Sequence, residues 1–261
     1  MSASAAKQQP AAADVLRRYA LSVGDTSLIL AQRLGEWVGH APALEEDLAL
    51  ANIGLDLLGQ ARHLLTFAAQ LQGGGCSEDD LAFLRDPQDF LNLGLVEQPN
   101  GDFGQTIVRQ FLVDAWQLEL FERLQRSGEA KFAELAAKAI KETRYHFRFS
   151  SGWMVRLGDG TEESHRRMQS ALDALWRFTH EMFVASPVEA DAVALGVAPD
   201  PASLAAGWSS RVDEVLKQAT LAKPADVPYA WHGKRGQHGE HLSRLLAEMQ
   251  FMQRTYPGAQ W

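Results

Sequence analysis

The chain has 261 residues, 25 Lys and Arg against 33 Asp and Glu for a formal charge of −8, and a single cysteine. That length allows one well-buried domain, and one thiol excludes a disulfide framework or a thiolate metal cluster. The acidic balance argues against nucleic acid or an anionic membrane as the main partner, and the lone Cys76 fits a cytoplasmic, reducing compartment.

Residues 1–13 are rich in Ala and Gln, lack an apolar signal core, and read as a flexible leader before a single domain over 14–261. From Val15, the residues Leu16, Tyr19, Val23, Leu30, Leu34 and Val38 recur at helical spacing until Gly39 and Pro42 end the pattern. A second helix opens on Glu45, Glu46 and Asp47, which suit the positive end of the helix dipole, and runs to the glycines at 73–75. The stretch from Gly73 to Asp102, punctuated by Asp86-Pro87 and Gln98-Pro99-Asn100-Gly101, predicts a long crossover with only short helical pieces. A third helix is expected over about 103–124 and a fourth over about 130–157, with Ser127-Gly128 as the hinge between them. Thr161 caps a fifth, expected to reach Val184 before Ser186-Pro187. Shorter helices over about 201–220 and 240–255 flank a structured loop from Lys223 to Gly239. No β-branched stretch alternates with polar residues, and no apolar run reaches the roughly 18 residues that span a bilayer. Two helix pairs separated by one long crossover predict an all-α, ferritin-like bundle with additional C-terminal helices.

Bundles of this kind build di-iron sites from a carboxylate on each of two helices and a Glu-x-x-His pair on each of the other two, since that spacing aims both donors at one iron. Of the eight histidines, only His165 has an acid three residues earlier, Glu162, and that pair sits in a first helical turn, where acids usually balance the dipole. The carboxylates Glu36, Asp56, Asp114 and Glu142 fall near ligand positions, with His146 the one plausible imidazole, while Asn52, Gln60 and His63 share the stripe of Asp56. The pattern reads as a degenerate polar core, with no catalytic and no metal-binding residue, in which Lys138 or a neighbouring arginine supplies the positive charge that iron would.

Long uninterrupted runs carry a resemblance: 32–37 (QRLGEW), 48–62 (LALANIGLDLLGQAR), 96–101 (VEQPNG), Ala139 through His146, and Glu248-Met249-Gln250. They resemble the C subunits of phenylacetyl-CoA epoxidase complexes over nearly the whole chain after Tyr19, with a longer Ala-rich N-terminus as the one departure. The resemblance implies a metal-free structural subunit of a multicomponent monooxygenase of aerobic phenylacetate breakdown. In such a complex a catalytic A subunit holds the di-iron centre and adds one oxygen atom of O2 across the ring of phenylacetyl-CoA, giving the 1,2-epoxide. Electrons come from NADPH through a reductase that carries FAD and an iron–sulfur cluster. The partners implied are the A subunit and other subunits of the complex, with phenylacetyl-CoA touched at most indirectly.

Within that reading, Asp89, Phe90, Leu91 and Asn92 are candidates for contact with CoA, against a role in packing the crossover. Trp231 and Trp261 are candidate anchors for another chain, whereas Trp37, Trp116, Trp153 and Trp176 belong to predicted helices and suit the core. The basic pair Lys234-Arg235 offers an anion contact or a merely solvated loop. Two other functions stay open on the residues: a self-sufficient di-iron oxygenase or oxidase with atypical spacing, and a storage or structural bundle with no oxygenase partner.

Overall fold

A computed structural model describes residues 5–226 and 232–259, with side chains from residue 12 onward. Four long helices form the bundle: α1 (Ala5–Gly35), α2 (Leu44–Gln72), α4 (Phe103–Leu124) and α5 (Ala130–Gly158). Between α2 and α4 the crossover carries α3 (Glu78–Phe83) and a 3-10 turn over Pro87–Asp89. Beyond the bundle lie α6 (Glu162–Trp176), α7 (Pro187–Ala194), α8 (Ala205–Gln218), α9 (Glu240–Met249) and α10 (Phe251–Thr255). Among the described residues the one extended pairing is an isolated bridge between His232 and Gln237, so the fold is all-α with ferritin-like connectivity. No described helix is long and apolar enough to cross a membrane.

Three boundaries differ from the sequence expectation. The backbone of α1 is helical from Ala5, because Ala and Gln favour helix as strongly as they favour solvent; residues 1–4 of the leader lie outside the described residues. The fifth helix stops at Trp176, and Thr179–Phe183 winds as a tighter 3-10 segment in which Glu181 and Met182 are buried. Ser186-Pro187, read as a stop, instead starts α7: Ser186 and Glu189 form a capping box, and Pro187 sits where its missing N–H costs nothing.

The core is apolar side chains from all four long helices. α1 and α2 pack antiparallel, Gly24 against Leu64 and Leu34 against Gly54, and a Cβ on Gly24 would stand 3.1 Å from that of Leu64. Tyr19 and Phe67 meet Phe132 edge-on, tying α1 and α2 to α5, while Phe103 meets Trp153 and Phe111 stacks on Phe147 between α4 and α5.

The crossover is pinned to α1 by buried polar groups. Asp25, fully buried on α1, accepts from Arg85 at 2.5 and 3.0 Å and from the Leu91 N–H at 2.9 Å, and the Arg85 guanidinium lies 4.1 Å from the centre of the Phe90 ring. The C-terminal loop closes over the same segment. His238 contacts the Glu97 carboxylate at 2.7 Å and the Phe90 carbonyl at 2.8 Å, and Glu181 accepts from the N–H groups of Gly94 and Lys234. Gly233 lies so close to the Asn92 carbonyl that no Cβ fits there.

Candidate functional site

A polar cluster in the interior of the bundle is built by α2, α4 and α5. Asp56 and Gln60 stand one turn apart on α2 and face His146 and Glu142, one turn apart on the antiparallel α5: His146 Nε2 lies 3.0 Å from Asp56 Oδ2, and Gln60 Nε2 donates to Glu142 Oε2 at 3.1 Å. Behind His146, the buried Asp114 of α4 accepts from Gln110 Nε2 and from Ser150 Oγ, each at 2.7 Å. Burial pushes the Asp114 carboxyl up to about 6, while nearby His146 and the hydrogen bonds from Ser150 and Gln110 pull the other way. Gln60 Oε1, Gln110 Oε1 and His146 Nδ1 are buried without a hydrogen-bond partner among the described residues.

Of the six residues expected in a polar core, the structure therefore brings four together: Asp56, Asp114, Glu142 and His146. Asp56 reaches the cluster from a rim position, with 39% of its side chain exposed. Glu36 and Lys138 lie elsewhere, and for both the expectation is corrected. Glu36, 31% exposed, pairs with Arg33 at 2.9 Å and accepts from Asn100 Nδ2 at 2.8 Å. Past Gly35 the helix has ended, so Glu36 turns toward the crossover instead of the bundle axis. Lys138 is exposed, 3.4 Å from His63 Nε2, on a surface groove of about 380 Å³. The imidazole of His146, not a lysine or arginine, is the basic group at Asp56 and Asp114.

Residues 33–36 and 97–109 form a separate clamp. Arg33 holds the Glu97 carbonyl through Nε and Nη2, and buried Arg109 holds the Gln98 carbonyl and Asn100 Oδ1, both at 2.6 Å. Trp37 Nε1 donates to Thr106 Oγ1 at 2.9 Å. Several residues in the recognisable runs thus fasten the end of the crossover onto α1 and α4.

The cluster does not fit a di-iron centre. It offers one imidazole, its amides Gln60 and Gln110 carry no charge, and both Asp114 oxygens already accept hydrogen bonds from the protein. Glu162 is exposed in the first turn of α6, and His165 bonds the Gly158 carbonyl at 2.7 Å, so that pair closes a helix end. Among the described residues no group of three or more His, Cys, Asp or Glu is placed to hold a metal ion.

Two other expectations change with the fold. Phe90, Leu91 and Asn92 are buried beneath the C-terminal loop, which leaves Asp89 as the only exposed member of the proposed CoA-contact group; packing accounts for the other three. Lys234 is buried too, bound to Glu189 at 2.7 Å and to the Val184 carbonyl at 2.8 Å, so it is no free anion contact. Trp231 and Trp261 lie outside the described residues. Gln110 and Ser150 were not anticipated; the signal was present in Gln110, Asp114 and Gln117, a buried polar stripe at helical spacing along α4.

The model of the family described as phenylacetic acid catabolic protein matches residues 1–261. The chain is 54% identical over 246 residues, 94% of its own length and 99% of the relative's, to a protein of Escherichia coli (strain K12) named as the C subunit of 1,2-phenylacetyl-CoA epoxidase. An all-α bundle whose crossover clamp is built from the resembling runs agrees with that similarity. The chain belongs to the phenylacetic acid catabolic protein family.

Proposed function

We propose that this chain is the non-catalytic C subunit of a phenylacetyl-CoA 1,2-epoxidase, a multicomponent monooxygenase of phenylacetate breakdown, and that it serves in the cytoplasm by stabilising the catalytic A subunit. The observation that carries the reading is the central cluster: Asp56, Asp114, Glu142 and His146 are tied to one another or to Gln60, Gln110 and Ser150 across three helices, an arrangement suited to holding helices in register rather than iron. The similarity to the E. coli protein over 94% of the chain supports the same assignment. In this reading the di-iron centre belongs to the A subunit, the FAD, iron–sulfur cluster and NADPH oxidation belong to the reductase, and this bundle contributes position: it buries a face of its partner and fixes the helices around the substrate path.

The test is metal analysis of the purified chain, alone and after co-expression with the A subunit, with co-elution followed on a sizing column. The expected result is a stable complex in which iron and epoxidation depend on A. About two irons per isolated chain, bound without A, would make the protein a di-iron catalyst in its own right.

A further inference from the structure

Surface lysines and arginines of this chain are mostly held by acids, as in Arg62–Glu78, Arg211–Glu122, Lys223–Asp213 and Arg254–Asp86. The solvent face of α5 departs from that pattern. Lys138, Lys141, Arg144 and Arg148 are exposed there, and none has an ion-pair partner among the described residues. What two of them do meet carries no negative charge: His63 Nε2 lies 3.4 Å from Lys138 Nζ, and the Tyr145 ring centre 5.5 Å from the Arg148 guanidinium. From Leu135 to the end of α5 the one acid is Glu142, and its carboxylate is bound to Gln60.

Steps of three, three and four set these four cations side by side along one strip of the helix, where adjacent like charges repel. The helix dipole gives no reason for them, because they stand away from its ends; only Arg156, over the Trp153 ring, lies in the last turn, where a cation is favoured. In a chain of net charge −8, the strip is a local reversal of sign that the fold itself leaves unanswered. At its N-terminal end Lys138 also lines the groove of about 380 Å³ between α2 and α5, with Leu64, Phe67 and Leu135 among the walls. Charge and concavity adjoin at that residue.

We propose that the solvent face of α5 from Lys138 to Arg148 docks an acidic helix or loop of a different protein chain, with the groove seating an apolar side chain of that segment. The assignment rests on the function proposed above, which makes that chain the catalytic A subunit. A second copy fits worse: two-fold pairing of the strip sets cation against cation, and a head-to-tail contact builds rings or filaments rather than a pair. A lipid surface fits worse too, since the apolar face of α5, with Phe132, Leu135, Ile140 and Met154, is buried in the core and leaves nothing to insert.

The experiment uses the full chain and the separately purified A subunit, with affinity measured by calorimetry at low and moderate salt. Lys141→Glu with Arg148→Glu is expected to weaken binding at least about tenfold and to remove most of its salt dependence. Lys141→Gln with Arg148→Gln is expected to weaken it less, with far-UV circular dichroism unchanged in both. Lys217→Glu with Arg235→Glu makes the same change of charge at exposed cations of α8 and the C-terminal loop, and is expected to bind as the wild type does. If the wild type does not bind A at all, the proposed function fails and this inference with it. If the wild type binds and the α5 variants match it, or if the control pair weakens binding as much as they do, the face is wrong while the function stands. Variants of α5 that bind A normally but lose self-association, or sedimentation with phosphatidylserine vesicles, would assign the strip to a second copy or to membrane and overturn the inference.

Discussion

Asp114 shows how a single side chain couples this bundle to pH. Its carboxyl is raised from 3.8 to about 6 by burial, so the folded state holds its proton more tightly than the unfolded chain does. Stability from this group is complete below the unfolded value and falls as pH rises through the folded one, by about 3 kcal/mol in all. Asp114→Asn, which keeps the shape and a carbonyl for Ser150, is expected to gain on the wild type between pH 4 and pH 7. Urea unfolding of both proteins across that range checks it, and a constant difference would mean that Asp114 does not titrate there. Asp25 poses the opposite case, a buried carboxylate matched by one guanidinium. Arg85→Ala strands that charge and is expected to cost about 3–5 kcal/mol, whereas Arg85→Met combined with Asp25→Asn should recover most of the loss. Neither role could be read from the residues alone: Asp25 sits at helical spacing among apolar neighbours, and nothing local says that its partner is 60 positions away.

Elements were more legible than their contacts. The ends of α2, α4 and α5 follow from acids at a helix start, an Asp cap and glycine stops, all of which act within a turn of the chain. The segments after Trp176 were harder, because Ser-Pro ends one helix and begins another with equal ease and only packing decides between them. The docking of the C-terminal loop onto the crossover can be tested through His238. Burial would lower its pKa, yet the Glu97 carboxylate and the Phe90 carbonyl outweigh that and leave it raised. A raised imidazole stabilises fully below about pH 6.5 and loses that contribution as pH climbs through the folded value. His238→Gln is expected to destabilise the protein most at pH 6 and least at pH 9, as thermal melts of the two proteins would show.

At the scale of the molecule, the leader and the domain can be separated by one deletion. We propose that residues 1–13 add nothing to the core and that 14–261 folds as a unit, since the C-terminal loop is bound to the crossover through Glu97, Glu181 and Lys234. A chain lacking 1–13 is expected to unfold in a single transition, with tryptophan fluorescence and circular dichroism coincident and the midpoint unchanged. Two separated transitions would divide the bundle from its C-terminal helices.

By itself the sequence determined the helical class, the long crossover and the family, because periodicity, caps and extended runs of matching residues are properties of neighbours along the chain. It also placed Asp56, Asp114, Glu142 and His146 near one another, since each falls near a position where a bundle of this kind carries a ligand. Only the tertiary structure decided that Glu36 belongs to the crossover clamp, that Lys138 faces solvent, that Phe90, Leu91 and Asn92 are buried under a loop whose His238 lies 141 residues from Glu97, and that Lys234 of that loop is buried against Glu189. Those outcomes turn on where a helix ends and which segment folds over another. Both are settled by burial summed over the whole chain, and no window of sequence contains that sum.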